Sequence, residues 1–149
     1  IMSAAFMPEG AVFEGSADKA FADLHYGQNY EDGAELYDYI IPMAYSNSYG
    51  ETSQWLAEIA KYSVEVGNKV AMGLQSFYPL TSTDLMNDIK AVQDLLPMEG
   101  VLGIVHFRHS QFSYAKTTYD LAITKTGYVP FGIRTFAAYS LGNARIIRS

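Results

Sequence analysis

Four short apolar segments of the sequence each end in polar or aromatic side chains that could bind a ligand or transfer a proton. Glu9 follows the first segment, Tyr45 closes the second, and the third and fourth run into LQSFYP and VHFRH. A carboxylate can exchange a proton, and a tyrosine offers an apolar ring together with a hydroxyl. The candidate residues at these four ends are Glu9, Met43, Tyr45, Gln75, Phe77, Tyr78, His106 and Arg108.

Each candidate also has a purely structural interpretation. Glu9 could be a solvated turn residue, and Tyr45 a core tyrosine whose hydroxyl is hydrogen-bonded within the protein. Gln75 lies deep in an apolar segment, where its amide must be hydrogen-bonded, and a neighbouring strand can satisfy it as well as a ligand. For Arg108 the structural alternative is an ion pair. His106 is followed by a second histidine at 109 with no third ligand nearby, so we expect no metal site.

The four apolar segments are predicted to be strands of a parallel sheet. They lie at 1–7, 36–45, 69–77 and 100–107, and none alternates cleanly between polar and apolar residues. Such runs are typical of parallel strands that are covered on both faces. Pro42 removes one ladder donor from the second strand, so its pairing must be broken or bulged there.

Amphipathic helices are predicted between these strands, at 52–66 and 83–96. The first helix should end at Gly67, and the second should be capped by Ser82 or Thr83 and followed by Pro97. The link between the first two strands is less regular, with room for short helical turns. Alternating strands and helices indicate βαβ units, in which ligands meet the carboxyl ends of the strands. The candidate residues are therefore expected to gather on one rim.

Composition narrows the class of protein. The chain has 149 residues, a formal net charge of −6 and no cysteine. The negative charge argues against a nucleic-acid partner, and the absence of cysteine excludes disulfides and thiolate chemistry. No apolar run reaches membrane-spanning length, and no glycine-rich phosphate loop follows any predicted strand. The sequence begins at Ile1, which is expected of a mature product or of a piece of a longer chain.

The order of these motifs resembles the second half of the family 18 chitinase-like barrels and of related bacterial glycoside hydrolase families. YDYIIPMAYS, at 37–46, is similar to their sixth strand with its M-x-Y motif, and KVAMGLQSFYP, at 69–79, is similar to their seventh. GVLGIVHFRH, at 100–109, resembles the eighth strand, and IMSAAFMPEG, at 1–10, would then be the fifth. The resemblance covers roughly residues 1–120.

The resemblance implies roles for the matched positions. Tyr45 would act on the reacting sugar as a catalytic group, and Met43 would line the floor of the subsite. Glu9 is the carboxylate near a predicted strand end that is placed to contribute to catalysis. The other implied substrate contacts are Gln75, Phe77, Tyr78, His106 and Arg108.

The sequence also departs from that family at three places. Ser46 stands where chitinase-like enzymes often carry aspartate, and His106 and Phe107 stand where many carry a stacking tryptophan. The acidic D-x-x-D-x-D-x-E run that supplies the general acid does not occur in this chain. These departures argue against chitin as the substrate, and we expect the chain alone to have little or no hydrolytic activity.

The sequence thus predicts an α/β fold, a half (β/α)8 TIM barrel made of strands five to eight, over 1–124, followed by a basic arm over 125–149. The parent protein would hydrolyse or bind a polysaccharide or glycan without a cofactor. The alternatives are a non-catalytic carbohydrate-binding barrel and a flavodoxin-like α/β domain for another small ligand. Two open sheet edges predict association with a second copy or with the missing half. The resemblance favours a secreted or cell-envelope location.

Overall fold

The sheet has the predicted parallel arrangement. The computed structural model describes residues 1–11, 16–77 and 79–107, without the side chains of 16–19, and the backbone of two short strands near the carboxyl terminus. The four main strands pair in parallel in the order β1-β2-β3-β4. Their bounds are β1 Ser3–Phe6, β2 Tyr39–Pro42, β3 Val70–Gln75 and β4 Val101–Phe107. The α/β class and the all-parallel sheet predicted from sequence are confirmed.

Helices fill every link between these strands. A 3-10 helix follows β1, and two α-helices occupy the link where the sequence left room for short helical turns. The elements are the 3-10 helix Pro8–Ala11, α1 Ser16–Tyr26, α2 Tyr30–Leu36, α3 Ser46–Tyr49, α4 Ser53–Glu65 and α5 Ser82–Gln93. Among the described residues, no helix combines the length and apolar character needed to cross a bilayer.

Local signals set the helix ends. Gly67, with a φ of 98°, follows α4 as predicted. The predicted cap of α5 was wrong, because Thr81 caps it instead of Ser82 or Thr83. The Thr81 hydroxyl accepts a hydrogen bond from the Asp84 backbone amide, and the Asp84 carboxylate accepts one in return from the Thr81 amide. This reciprocal pair is a capping box, and the T-x-x-D spacing in the sequence could have identified it.

The strand order places the helices on one face of the sheet. Each crossover steps in the same direction along the sheet, and right-handed crossovers of that kind bring successive helices to the same side. Met72 and Leu74 of β3 accordingly share a fully buried core with Leu56 of α4 and Leu85 of α5. In a flavodoxin-like sheet β1 lies between β2 and β3. In the described sheet β1 lies at the end beside β2, so the order of these four strands is not the flavodoxin order.

Pro42 interrupts the ladder between β2 and β3, as the sequence predicted. The two strands share a single register pair, Ile40 with Val70, before Pro42 withholds the next donor. Past that point the Pro42 carbonyl approaches Gly73 so closely that a Cβ built on the glycine would lie 2.7 Å from the oxygen. Gly73 therefore lets β2 and β3 stay in contact where their hydrogen bonding stops.

The pairing of β3 with β4 contains an extra residue. Val70 is opposite Val101 but Ala71 is opposite Gly103, so Leu102 is left over and half exposed. Gly103 accommodates the irregularity with a φ of 136°. After this bulge the register continues without a break to the end of both strands. The bulge therefore decides which β4 side chains share a face with those of β3.

Two further strands lie near the carboxyl terminus. β5 Thr135–Ala137 and β6 Arg145–Ile147 pair antiparallel in a separate two-stranded sheet. The boundary predicted between 124 and 125 lies outside the described residues. The rest of the basic arm lies outside them as well.

Candidate functional site

The described candidates meet at the carboxyl ends of the strands, beginning with Glu9 and Tyr45. Glu9 lies in the 3-10 helix that follows β1, and Tyr45 is the residue before α3, just past β2. The Tyr49 hydroxyl, at the end of α3, donates a hydrogen bond of 3.1 Å to Glu9 Oε1. Neighbouring parallel strands thus bring a carboxylate and two phenols to one end of the sheet.

Two oxygens of this site are buried without a hydrogen-bond partner among the described residues. They are Glu9 Oε2 and the Tyr45 hydroxyl. Burial raises the pKa of Tyr45 to about 12, so its phenol stays protonated and remains a hydrogen-bond donor at physiological pH. A buried polar atom without a partner costs about 1–3 kcal/mol. Such atoms at the end of a parallel sheet are where a bound ligand would supply the missing hydrogen bonds.

Tyr49 interacts electrostatically with both Glu9 and Tyr45. Burial, followed by the nearby Glu9 carboxylate, raises the pKa of Tyr49 well above its usual value. The same phenol is also within electrostatic reach of Tyr45. The pKa of Tyr30 is raised by burial and then by Glu9, and its hydroxyl donates a 3.1 Å hydrogen bond to the Met7 carbonyl. The protonated phenols of Tyr49 and Tyr30 therefore both lie within electrostatic reach of the Glu9 carboxylate.

An aromatic cluster of Tyr45, Phe77 and Phe107 flanks the phenol of Tyr45. The Tyr45 ring stacks on Phe107 with centroids 5.6 Å apart and planes 17° apart. Phe77 meets Tyr45 edge-to-face at 5.7 Å and lies 6.3 Å from Phe107. Phe107 is 36% exposed, so part of the cluster faces solvent. Each of the three residues comes from a different strand end, as the parallel register requires.

The Gln75 side chain holds the backbone next to this cluster in place through hydrogen bonds. Its side chain is fully buried, and its Oε1 accepts hydrogen bonds from the Ser48 amide (3.1 Å) and the Ser48 hydroxyl (2.9 Å). Its Nε2 donates to the Phe77 carbonyl at 3.3 Å. Gln75 therefore ties α3 and the Phe77 segment to the end of β3. Its amide therefore hydrogen-bonds within the protein, although to α3 and the Phe77 segment and not to the neighbouring strand that the structural alternative named.

The remaining predicted contacts are placed differently. Met43 directly follows β2, is partly buried, and donates its amide to the Phe6 carbonyl at 2.8 Å. His106 pairs in register with Leu74, whose side chain faces the helices, whereas Phe107 pairs with Gln75. Strand alternation thus puts His106 on the opposite face from the aromatic cluster. Burial lowers the pKa of His106 to about 4, which keeps its imidazole neutral at physiological pH. Tyr78 and Arg108 lie outside the described residues.

The sequence reasoning missed Asp88, a buried carboxylate next to the site. Asp88 accepts hydrogen bonds of 2.7 Å from the hydroxyls of Ser46 and Ser53, the first residues of α3 and α4. A cleft of about 210 Å³ opens beside it. Within the described parts of the chain, no group of three or more acidic or histidine side chains is arranged to hold a metal ion. The sequence signal was an aspartate on the apolar face of α5, between Leu85 and Ile89.

The fold and the site together define an α/β protein whose polar and aromatic side chains converge at the carboxyl ends of a parallel sheet. Comparison of the chain with protein-family models, with curated proteins and with solved structures finds no match. The residues of the site are therefore the available indication of its function.

Proposed function

We propose that this chain is the carboxyl-terminal half of a glycoside-hydrolase-like (β/α)8 barrel that binds a glycan at the carboxyl ends of β1 to β4. The observation that carries the proposal is the pair of buried, unpartnered oxygens on Glu9 and Tyr45. The sequential parallel order of the strands supports the barrel part, because a closed barrel is built by continuing that order.

A sugar is the ligand that best matches this pair of atoms. Each sugar hydroxyl can donate to Glu9 Oε2 and accept from the Tyr45 hydroxyl, so one ligand group type satisfies both oxygens. The apolar face of a pyranose also suits the partly exposed aromatic cluster beside them. Glu9 and Tyr45 are then the polar contacts, and Phe77 and Phe107 supply apolar surface.

Hydrolysis would need more than these residues. Glycoside hydrolysis normally uses two carboxyl groups that flank the scissile bond. Glu9 supplies one, and the buried carboxylate of Asp88 already accepts hydrogen bonds from the Ser46 and Ser53 hydroxyls. The other acid would come from the part of the barrel before Ile1. A non-catalytic carbohydrate-binding barrel is the second candidate, and the single carboxylate favours it.

Removing the Tyr45 hydroxyl should weaken glycan binding. We expect Tyr45→Phe to lose about 1 kcal/mol of binding free energy, since one hydrogen bond is lost and the ring is kept. The measurement is titration calorimetry with neutral cello-, xylo-, manno- and chito-oligosaccharides. Tyr39→Phe, on β2 at the opposite end of the sheet, is the matched control and should bind like the wild type.

The same oligosaccharides test the catalytic part of the proposal. We expect the isolated chain to release no reducing ends from any of them. Turnover that Glu9→Gln abolishes would show that this chain carries a complete catalytic site. No binding by the wild type to any of the sugars, at millimolar concentration, would contradict the glycan proposal itself.

The half-barrel also predicts self-association of the isolated chain. In the described sheet β4 is the last strand, and a half barrel leaves its inner face unfilled. We expect light scattering on a sizing column to give a mass above that of one chain at micromolar concentration. A clean monomer with a cooperative thermal transition would contradict the half-barrel.

A further inference from the structure

On the edge of β1 that faces away from β2, a side chain, and not a neighbouring strand, hydrogen-bonds the backbone. The backbone carbonyls of Met2 and Phe6 point toward β2. The Asp38 amide donates to the Met2 carbonyl at 2.9 Å, and the Met43 amide donates to the Phe6 carbonyl at 2.8 Å. Alternate residues of a parallel strand point their backbone groups to opposite edges. Ala5 and Met7 therefore direct theirs away from β2, toward the edge where the described sheet ends.

Gln28 bonds this edge with its carboxamide. Its Oε1 accepts a hydrogen bond of 2.7 Å from the Met7 amide, and its Nε2 donates one of 3.0 Å to the Ala5 carbonyl. In a parallel ladder a single residue of the adjacent strand makes the same two bonds, one to residue i−1 and one to residue i+1. The Gln28 side chain thus reproduces the hydrogen bonding of one residue of an added strand.

The loop that carries Gln28 is fixed on both sides. Gly27 ends α1 in the left-handed conformation, with a φ of 60°, and its amide donates to the Asp23 carbonyl at 3.1 Å. Asn29 caps α2 through its side-chain oxygen, which accepts from the amides of Glu31 and Asp32. With both neighbours held, the backbone at Gln28 is already ordered, so docking of the carboxamide on β1 costs only the freedom of the side chain itself.

We propose that Gln28 closes the carboxyl-terminal half of the β1 edge to strand addition, so that a strand pairing with Ala5 and Met7 must first displace it. Exposed strand edges are sites of association between chains, and proteins block them with local structure. The strand excluded here is an edge strand of a second copy of this chain. The inference concerns the hydrogen bonds of β1 alone; in the barrel proposed above, the strand from the other half would also have to displace Gln28 from Ala5 and Met7 before it could pair with them.

Gln28→Ala tests the proposal. We expect the Met7 amide to exchange with solvent deuterium at least about tenfold faster than in the wild type, because its acceptor is gone. We also expect a higher weight-average sedimentation coefficient than that of the wild type at equal concentration. Gln54→Ala, an exposed glutamine in α4, is the matched control and should change neither quantity.

Gln28→Met keeps the length of the side chain and loses both hydrogen bonds, so it gives the same comparison if the alanine variant does not fold. Faster Met7 exchange without added association would overturn the closing role, since Gln28 would then only satisfy the backbone. Unchanged exchange in both variants would overturn the hydrogen-bonding arrangement itself.

Discussion

Replacing Asp88 by alanine is expected to lower the free energy of unfolding by about 2–4 kcal/mol. Each hydrogen bond to a charged group contributes about 1.5–3 kcal/mol, and the change leaves the Ser46 and Ser53 hydroxyls without their acceptor. Relief from burying the carboxylate offsets part of the loss. Urea unfolding followed by circular dichroism measures the change. Asp94→Ala, an exposed acid at the end of α5, should shift stability by less than about 0.5 kcal/mol.

The Asp88→Asn variant separates charge from hydrogen bonding. Burial raises the pKa of Asp88 above its ordinary value of 3.8, and the two serine hydroxyls oppose that shift only in part. The folded state then binds the proton more tightly than the unfolded state. The contribution of Asp88 to stability is therefore greatest below pH 3.8 and falls as the pH rises through the raised pKa.

Asparagine does not titrate, so stability of the wild type relative to Asp88→Asn should be greatest in acid and decline toward neutral pH. Parallel unfolding curves at several pH values measure this difference. A relative stability of the wild type that rises with pH would contradict the direction of the shift.

Replacing Gly73 by alanine is expected to cost about 1–3 kcal/mol of unfolding free energy, since overpacking forces the backbone to move. The added methyl would lie 2.7 Å from the Pro42 carbonyl oxygen and 3.3 Å from the Met43 Cα, and both are backbone atoms. The strand ends that carry Tyr45 and Phe77 must then separate. Thermal unfolding gives the stability change, and loss of the ring contacts should appear in the near-ultraviolet circular dichroism.

Gly33→Ala is the control for this effect. Its new methyl would meet the tip of the Phe6 ring at 3.1 Å, and a side chain can turn aside where a backbone cannot. Gly33 also lies within α2, where alanine is the better helix former. We expect this variant to be clearly less destabilised than Gly73→Ala. Equal losses would show that the close approach of Pro42 is not what requires glycine at 73.

Much of this fold could be predicted from the sequence, because the signals involved are local. Apolar runs predicted the four strands, and Pro42 predicted the interruption of the hydrogen-bond ladder between β2 and β3. The stretch that forms α1 and α2 carried weak periodicity, so the sequence left room there only for short helical turns. The capping threonine of α5 was missed because the N3 residue of this capping box is an aspartate, Asp84, where glutamate or glutamine is usual.

The candidate site was predicted less completely. The predicted ends of the strands lie within three residues of the observed ends, which was close enough to identify Glu9 and Tyr45 as candidates. Which face each side chain occupies could not be predicted, because the bulge at Leu102 shifts the register of β4. That shift puts Phe107, and not His106, on the face of Gln75. The hydrogen bonds of Asp88 join α5 to α3 and α4, and no sequence motif indicates such contacts between helices.

The sequential order of the strands has a consequence for how the chain folds. Each of the first three strands of the parallel sheet pairs with the strand that follows it in the chain, one helical unit later. The loops closed by these pairings are therefore short relative to those of a sheet with permuted strands, and low contact order favours rapid folding. Each unit can dock on its predecessor as it leaves the ribosome, so the Glu9 and Tyr45 ends can assemble before β4 is synthesised.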